Sequence, residues 1–492
     1  MKEDRREFLR KSGCALGMAA LATRFEHFGL MSALAQKTDD TLDSAVPGDY
    51  RALVCVFLSG GNDGNNTVIP NHSDASLSNY ATYSALRSAQ GLALAQNTLL
   101  PISVPRMGGL NYGLHPGFGA GATNNGIHEL WGLGKMAVVT NVGTLIQPTT
   151  RAQYQTPAHP KPYQLFSHSD QVSQYQSGRS DLQSFTGWGG RLADQRQAPD
   201  NPSSLIPMIT SIAGAQLFTA GQSTLPVAIV GAPTGLNLVL NPQGYNTTAE
   251  SQARLAAFNT LRTQDLSSQV VAAASHVTGQ AMTVNASLQT FQEVTVTFPN
   301  SNIGNQLKQV ARLIKKRGDL TVNRQIFFCQ IGGFDTHLNQ LNTQTTLLSQ
   351  LSQAMRAFYD EMVVQNLGDK VTQFTMADFS RTMNPANTGV AVGSDHAWAN
   401  HHFVVGGGVT ASNFYGNNSS NGTPYPSLVL NGPDDADNGV GARGRWIPTS
   451  SVEQYAATLA RWYGLPEANM VDVFPKINNF LPNTNLGFMG PA

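Results

Sequence analysis

Three short apolar runs, Ala52 to Leu58, Gln325 to Ile331 and Val371 to Met376, stand out along the chain, and each stops at a turn rich in glycine or acid. Runs of this length without polar alternation read as strands covered on both faces, the pattern of a parallel sheet. A fourth run, Met136 to Val142, follows a helix-like stretch (IHELWGLG) in the segment that begins near His115-Pro116. Between the second and third runs, Leu341, Leu348, Leu351, Met355, Phe358 and Met362 recur at steps of three, four and seven. Those steps put them on one helical stripe, which reads as core. Strand, long helix and strand form a βαβ unit, whose crossover is expected to be right-handed. The pattern predicts an α/β fold with a mostly parallel sheet.

The remainder reads as one large domain over residues 36–492, with helical insertions at about 143–235 and 245–320. No charged linker or Pro/Ser-rich hinge divides it. Within the second insertion, Leu307 to Arg317 is amphipathic, and its KKRG end reads as a solvated helix terminus. Cys14 belongs to an N-terminal leader, and the other two cysteines, Cys55 and Cys329, sit inside apolar strand-like runs. Two such thiols read as small core residues, with a bridge open to them only if their strands are neighbours.

The leader spans residues 1–35. Arg5-Arg6 precede Phe8-Leu9 and further positive charge, a short apolar run follows from Cys14 to Ala22, and Ala33-Leu34-Ala35 supplies a small-x-small cleavage motif. This order predicts a twin-arginine signal, with the translocation machinery and signal peptidase as partners and the periplasm or the exterior as destination. The apolar run is shorter than the roughly 20 residues a membrane-spanning helix needs, so no stable membrane insertion is expected. Of the chain's 31 Lys/Arg and 31 Asp/Glu, six and four fall in residues 1–35, so the rest carries 25 against 27. That balance gives no reason to expect nucleic acid as a partner.

In open parallel sheets ligands gather at the carboxyl ends of the strands. Each end here carries an acid: Asp63 in Gly60-Gly61-Asn62-Asp63-Gly64, Asp335 in Gly332-Gly333-Phe334-Asp335-Thr336-His337, and Asp378 in Ala377-Asp378-Phe379-Ser380-Arg381. Asp395-His396 and His401-His402 follow downstream. Carboxylates that neutralise a divalent charge and imidazoles that favour zinc or a transition metal are what a one- or two-metal hydrolytic site needs. Taken singly, each of these motifs has a structural reading as a turn or a helix cap.

The segments GGNDGNNTVIP, SHSDQVSQYQSG with the later TGWGGR, GGFDTH, ADFSR and GSDHAWANHHFVVGG, in this order, resemble an exported bacterial family catalogued as domain of unknown function 1501. That family is placed in the alkaline phosphatase and sulfatase superfamily. The resemblance runs from about Arg51 to beyond Gly408 and implies an alkaline phosphatase-like, three-layer α/β/α fold. It also implies divalent metal ions, zinc among the candidates, and a small anionic ester as substrate. Carried over by position, Asp63 matches the superfamily's first-strand acid, and Asp335 with His337 its later pair. Two registers remain for the next ligand: Asp378 by its place at a strand end, or Asp395 by the Asp-His dipeptide. His396 and His402 stay near the site in both, whereas His401 would face the opposite side of a strand. The chain has Ala-Asp-Phe-Ser-Arg where the family more often shows Ser-Glu-Phe-Gly-Arg. Arg381 then either binds the anionic substrate or pairs with an acid of the site.

Ser167 is the candidate nucleophile, at the start of the SHSDQVSQYQ segment, where a metal and a helix dipole would lower its hydroxyl pKa. The competing reading is an ordinary N-cap. His168 is either a further ligand or a packing residue. Asn62 and Asn65 could contact an oxyanion, although Asn in a Gly-rich turn usually needs no such role. Two functions are therefore expected: a metal-dependent hydrolase of phosphate or sulfate esters, or a catalytically silent exported binding or assembly protein on the same scaffold. No dinucleotide fingerprint follows the first strand, which weighs against an oxidoreductase with an organic cofactor.

Overall fold

The computed structural model describes residues 49–491 except 225, 239–244, 246, 265, 268 and 386–390; the twin-arginine motif and its cleavage site lie outside the described residues. The strands, in chain order, are β1 (Arg51–Leu58), β2 (Val68–Pro70), β3 (Leu100–Val104), β4 (Leu110–Leu114), β5 (Met136–Gly143), β6 (Ile209–Ser211), β7 (Val227–Ala228), β8 (Arg324–Ile331), β9 (Val371–Ala377), β10 (Asn400–Gly406), β11 (Phe414–Tyr415) and β12 (Ser450–Ser451). The main sheet runs β11-β5-β10-β9-β1-β8-β6-β7, with β12 also on β5, and β2, β4 and β3 form a separate antiparallel sheet. Every pairing in the main sheet is parallel except those of β10, which is antiparallel to β5 and β9.

The four apolar runs of the sequence become β1, β8, β9 and β5, and all but a few of their residues are buried. Alternation along β1 sends Val54, Val56 and Leu58 into one core and Leu53, Cys55 and Phe57 into the other. Five helices cover the sheet or reach its functional edge: α1 (His168–Ser177), α2 (Trp188–Asp200), α3 (Asn302–Lys315), α4 (Gln340–Val364) and α5 (Val452–Tyr463). On the first face lie α3 and α4, with Leu307, Val310, Leu348, Leu351, Met355, Phe358 and Met362 in the core. On the second lie α2 and α5, with Trp188, Leu192, Tyr455 and Leu459. Each such side chain contributes about 1.5–3 kcal/mol by leaving water. The result is a three-layer α/β/α sandwich. Leu341, at the start of the predicted stripe, is only half-buried.

The strand-helix-strand unit β8–α4–β9 is present, but its two strands are not neighbours. Both pair with β1, which lies between them. Residues 143–235, expected as an insertion, supply α1 and α2 to one helical layer and β6 and β7 to the edge of the main sheet. Cys55 and Cys329 do lie on adjacent strands and are free thiols. In register Cys55 faces Phe328 and Cys329 faces Val56, so the two sulfurs occupy opposite faces of the sheet, one in each core. A bridge is excluded by this one-residue offset. Among the described residues no helix is long and apolar enough to cross a membrane.

Candidate metal centre

The carboxyl ends of β1, β8 and β9 are drawn together by two glycines. Gly60 and Gly61 follow β1 with φ of +113° and +80°. A Cβ on Gly60 would lie 2.4 Å from the Asp335 nitrogen, and one on Gly61 would lie 2.5 Å from the Phe379 ring. Only glycine tolerates both the left-handed backbone and this approach. The Gly60 N–H then donates to Asp378 Oδ1 at 3.1 Å, which ties the end of β1 to the end of β9.

Above this junction three side chains converge. His168 Nε2 lies 3.1 Å from His396 Nε2 and 3.4 Å from Asp335 Oδ1, and His396 Nε2 lies 3.6 Å from the same oxygen. His337 shares the His396–Asp335 edge, with its Nε2 3.0 Å from each. The outer nitrogens of His168 and His396 are hydrogen-bonded, and that of His337 faces a carboxylate. His168 Nδ1 sits 2.7 Å from Asp378 Oδ2, His396 Nδ1 2.8 Å from the Phe166 carbonyl, and His337 Nδ1 3.3 Å from Asp395 Oδ1. For His168 and His396 those partners are acceptors, so Nδ1 carries a proton, and in the neutral ring Nε2 turns its lone pair toward the centre.

Two imidazole nitrogens 3.1 Å apart are held together either by a proton, as an N–H···N hydrogen bond, or by a cation that takes both lone pairs. A tetrahedral zinc ion with ligands at about 2.0–2.1 Å places those ligands about 3.3–3.4 Å from one another. The His168–His396–Asp335 triangle has edges of 3.1, 3.4 and 3.6 Å, so its donors and its dimensions fit a divalent ion. The Asp378 carboxylate hydrogen bond pushes the His168 pKa up, while burial pulls that of His396 down. Burial raises the Asp335 carboxyl, but the Arg381 guanidinium with His168 and His337 outweighs it and holds the group below the usual carboxylate range. Phe379 packs against the His168 and His396 rings, with centroids 4.6 Å from each, and forms a dry side to the cluster.

Phe166 is held at φ +70°, a conformation that costs a non-glycine residue energy, and its N–H is secured by Gln171 Oε1 at 2.6 Å. That geometry presents its carbonyl to His396. Arg445 reinforces the contact, donating to the His396 carbonyl at 2.8 Å and lying over the Phe166 ring.

Of the residues expected as ligands, Asp335, His337 and His396 come together, and His168, left open between ligand and packing residue, joins them. Asp378 and Asp395 are not in the inner cluster: each holds the outer nitrogen of a histidine, and Asp395 is further paired with Arg443. Both registers for the strand-end ligand are thereby replaced by this supporting role. Asp63 is not a ligand here, because its acceptor capacity is taken up by Arg87 Nη2 at 2.6 Å, the Asn65 N–H at 3.0 Å and Gln340 Nε2. Asp63 and Arg87 are both fully buried. His402 is also elsewhere. It lies in the second core with its ring against Tyr175 and Tyr455, and burial drives its pKa down to about 3. His401 points to the other face as expected, accepting from the Asn141 N–H and stacking on Tyr425.

Arg381 is not available to a substrate. Its buried guanidinium donates to the carbonyls of Gly60, Gly61, Phe334 and Ser394 and to Asp335 Oδ1, pinning three strand ends at once. Ser167 does precede α1, but its hydroxyl donates to Asp170 Oδ2 at 2.6 Å, and among the described residues no hydrogen bond links it to the histidine cluster. Asn62 and Asn65 are likewise occupied within the fold, by Thr67, Gln344, Arg381 and Trp446. Arg87, which decides the fate of Asp63, gave no signal in the sequence beyond being one charge on a short helix, Tyr80–Arg87.

Residues 122–426, well over half of the chain, match the family described as protein of unknown function (DUF1501). No curated protein matches the chain in sequence. Solved structures similar to it include the protein Ps i-CgsB in complex with k-i-k-neocarrahexaose, at 7% identity and TM-score 0.32, covering 88% of this chain and 77% of that one. The PsFucS1 sulfatase from Pseudoalteromonas sp. aligns at 10% identity and TM-score 0.26, over 76% of this chain and 65% of the sulfatase. An alkaline phosphatase from the Antarctic bacterium TAB5 aligns at 9% identity and TM-score 0.20, over 74% and 94%. At these scores no activity follows from the likeness.

Proposed function

This chain belongs to the DUF1501 family of proteins of unknown function, and we propose that it is an exported, metal-dependent hydrolase of phosphate or sulfate esters whose ion is held by His168, Asp335 and His396. The observation that carries the reading is the convergence of two imidazole Nε2 atoms and one carboxylate oxygen within 3.1–3.6 Å, each ring oriented through its other nitrogen. Three protein donors leave a position open, the arrangement of a catalytic site and not of a closed structural one. A divalent ion there would supply Lewis acidity to an ester oxygen and lower the pKa of a water.

The chain's own groups divide the remaining work. His337, at the exposed rim, has Nδ1 3.3 Å from Asp395 Oδ1 and accepts at Nε2 from Arg381 Nη1 at 3.4 Å; with an attacking water in place of that long contact, Nε2 is the base that takes its proton and returns it to the leaving oxygen. The Asp395 carboxylate beside Nδ1 stabilises the imidazolium that forms. Ser167 has no part in this chemistry, its hydroxyl being engaged by Asp170. The same engagement, together with the sealing of Asp63 by Arg87, also favours a second reading in which the site binds an ion and catalyses nothing.

The experiment is metal analysis of natively exported protein, followed by assays on generic aryl phosphate and aryl sulfate esters. One ion per chain is expected, lost in His168→Ala and Asp335→Asn, while His337→Ala keeps the ion and loses turnover. Absence of stoichiometric metal in folded wild-type protein sinks both readings. Metal without turnover of any ester leaves the second.

A further inference from the structure

One strand along the same carboxyl edge, a cavity of about 440 Å³ opens between the ends of β6, β7 and β8 and the first turn of α3. Among the described residues no charged side chain lines it. Its polar wall is built from amides. Gln306 braces it, donating to the Gln330 carbonyl at 2.8 Å and to Asn302 Oδ1, while its Oε1 accepts from the Gln330 N–H at 2.9 Å. Asn305 and Gln330 also line the cavity. Ile212 and Ala232 supply apolar surface beside them.

We propose that this cavity binds a neutral, hydroxyl-rich ring, a sugar unit, beside the histidine cluster. A carboxamide offers donors and an acceptor in one plane, which suits neighbouring hydroxyls that both give and take hydrogen bonds. An uncharged lining does nothing to offset the desolvation of an ion, so phosphate, sulfate and cations are disfavoured there. Apolar side chains suit the C–H face of a ring, and the volume lies within the range of small-molecule sites, about 300–1,000 Å³. Gly332 lines the cavity and Asp335 belongs to the cluster, three residues further on. Their α-carbons are therefore no more than about 11 Å apart. Resting on the hydrolase reading, the substrate is then an ester borne on a glycan, with the ester at the cluster and the adjoining sugar in the cavity.

The test is saturation-transfer NMR and calorimetry of the full exported protein, with EDTA present, against methyl glucoside, methyl galactoside, maltotriose and cellotriose. At least one saccharide is expected to bind the wild type and His168→Ala equally. Asn305→Leu and Gln330→Leu are expected to weaken that binding by about tenfold or more. Should either variant fail to fold, the same saccharides must protect residues 212–213 and 231–232 of the wild type from hydrogen exchange. Lack of saccharide binding, binding untouched by both folded variants, or protection confined to other regions overturns the proposal. Saccharide binding without turnover of any ester defeats the hydrolase reading alone, and ester turnover without saccharide binding defeats the cavity alone.

Discussion

Asp378→Asn exchanges one oxygen for an NH2 group at the residue that orients His168. Asp378 Oδ1 accepts from the Gly60 N–H at 3.1 Å and Oδ2 from His168 Nδ1 at 2.7 Å. An asparagine keeps the first contact with its carbonyl oxygen and turns its NH2 toward Nδ1, where donor meets donor. His168 escapes by moving its proton to Nε2, which removes the lone pair it directs at His396 and Asp335. A hydrogen bond to a charged group contributes about 1.5–3 kcal/mol. Loss of a partner that orients a metal-ligating histidine typically weakens metal binding about 10–100-fold, or about 1.4–2.8 kcal/mol. The two estimates agree. The assay is competition of the purified variant and wild type against a chromogenic zinc chelator near neutral pH, with circular dichroism to establish folding. Asp395→Asn is the control: it acts on His337, so it should lower kcat while zinc affinity holds. An Asp378→Asn protein that folds and binds zinc as tightly as wild type would refute the reasoning, because His168 could then not be contributing Nε2.

Three further outcomes concern groups away from the triangle. Glu453, buried near the start of α5, has its pKa pushed by burial, and by the nearby Asp181 charge, from the ordinary 4.5 up to about 8. Because the folded-state value is raised, the neutral carboxyl's contribution is complete below about pH 4.5 and is lost as pH rises toward 8, by at most about 5 kcal/mol. Glu453→Gln should flatten that part of a Tm-against-pH curve and raise Tm at pH 8; parallel curves would count against it. Arg87→Met leaves the Asp63 carboxylate buried without its cation and should cost about 3–5 kcal/mol in denaturant unfolding, with metal content unchanged. Ser167→Ala should leave ester turnover within about twofold of wild type, since a hydroxyl bonded to Asp170 is outside the reaction; a collapse of kcat would restore serine as the nucleophile.

The sheet was legible because burial on both faces writes itself as uninterrupted apolar runs. β1, β8 and β9 begin and end within a residue or so of where those runs do. The stripe of α4 was equally plain, because a helix packed on a sheet repeats its apolar positions at helical spacing. The placement of acids just past strand ends pointed to the edge where Asp335 and His337 lie beside His396. The same local rules could not say that β1 separates β8 from β9, since strand order depends on pairings between segments hundreds of residues apart.

From its own pattern the sequence determined an α/β fold with a mostly parallel sheet, buried thiols, and a carboxyl edge rich in acids and histidines. Only the tertiary structure decided which of those groups face one another. Asp63 and Asp378 look alike at strand ends, and Asp395 looks like a ligand beside His396, yet the first is neutralised by Arg87 and the other two face imidazoles. His402 follows the same edge in sequence but lies in the second core, where neighbouring aromatic rings surround it. Whether an acid binds a cation, an arginine or a histidine depends on what the folded chain places within about 3 Å of its oxygens. That neighbourhood is assembled from distant segments, and no local spacing encodes it.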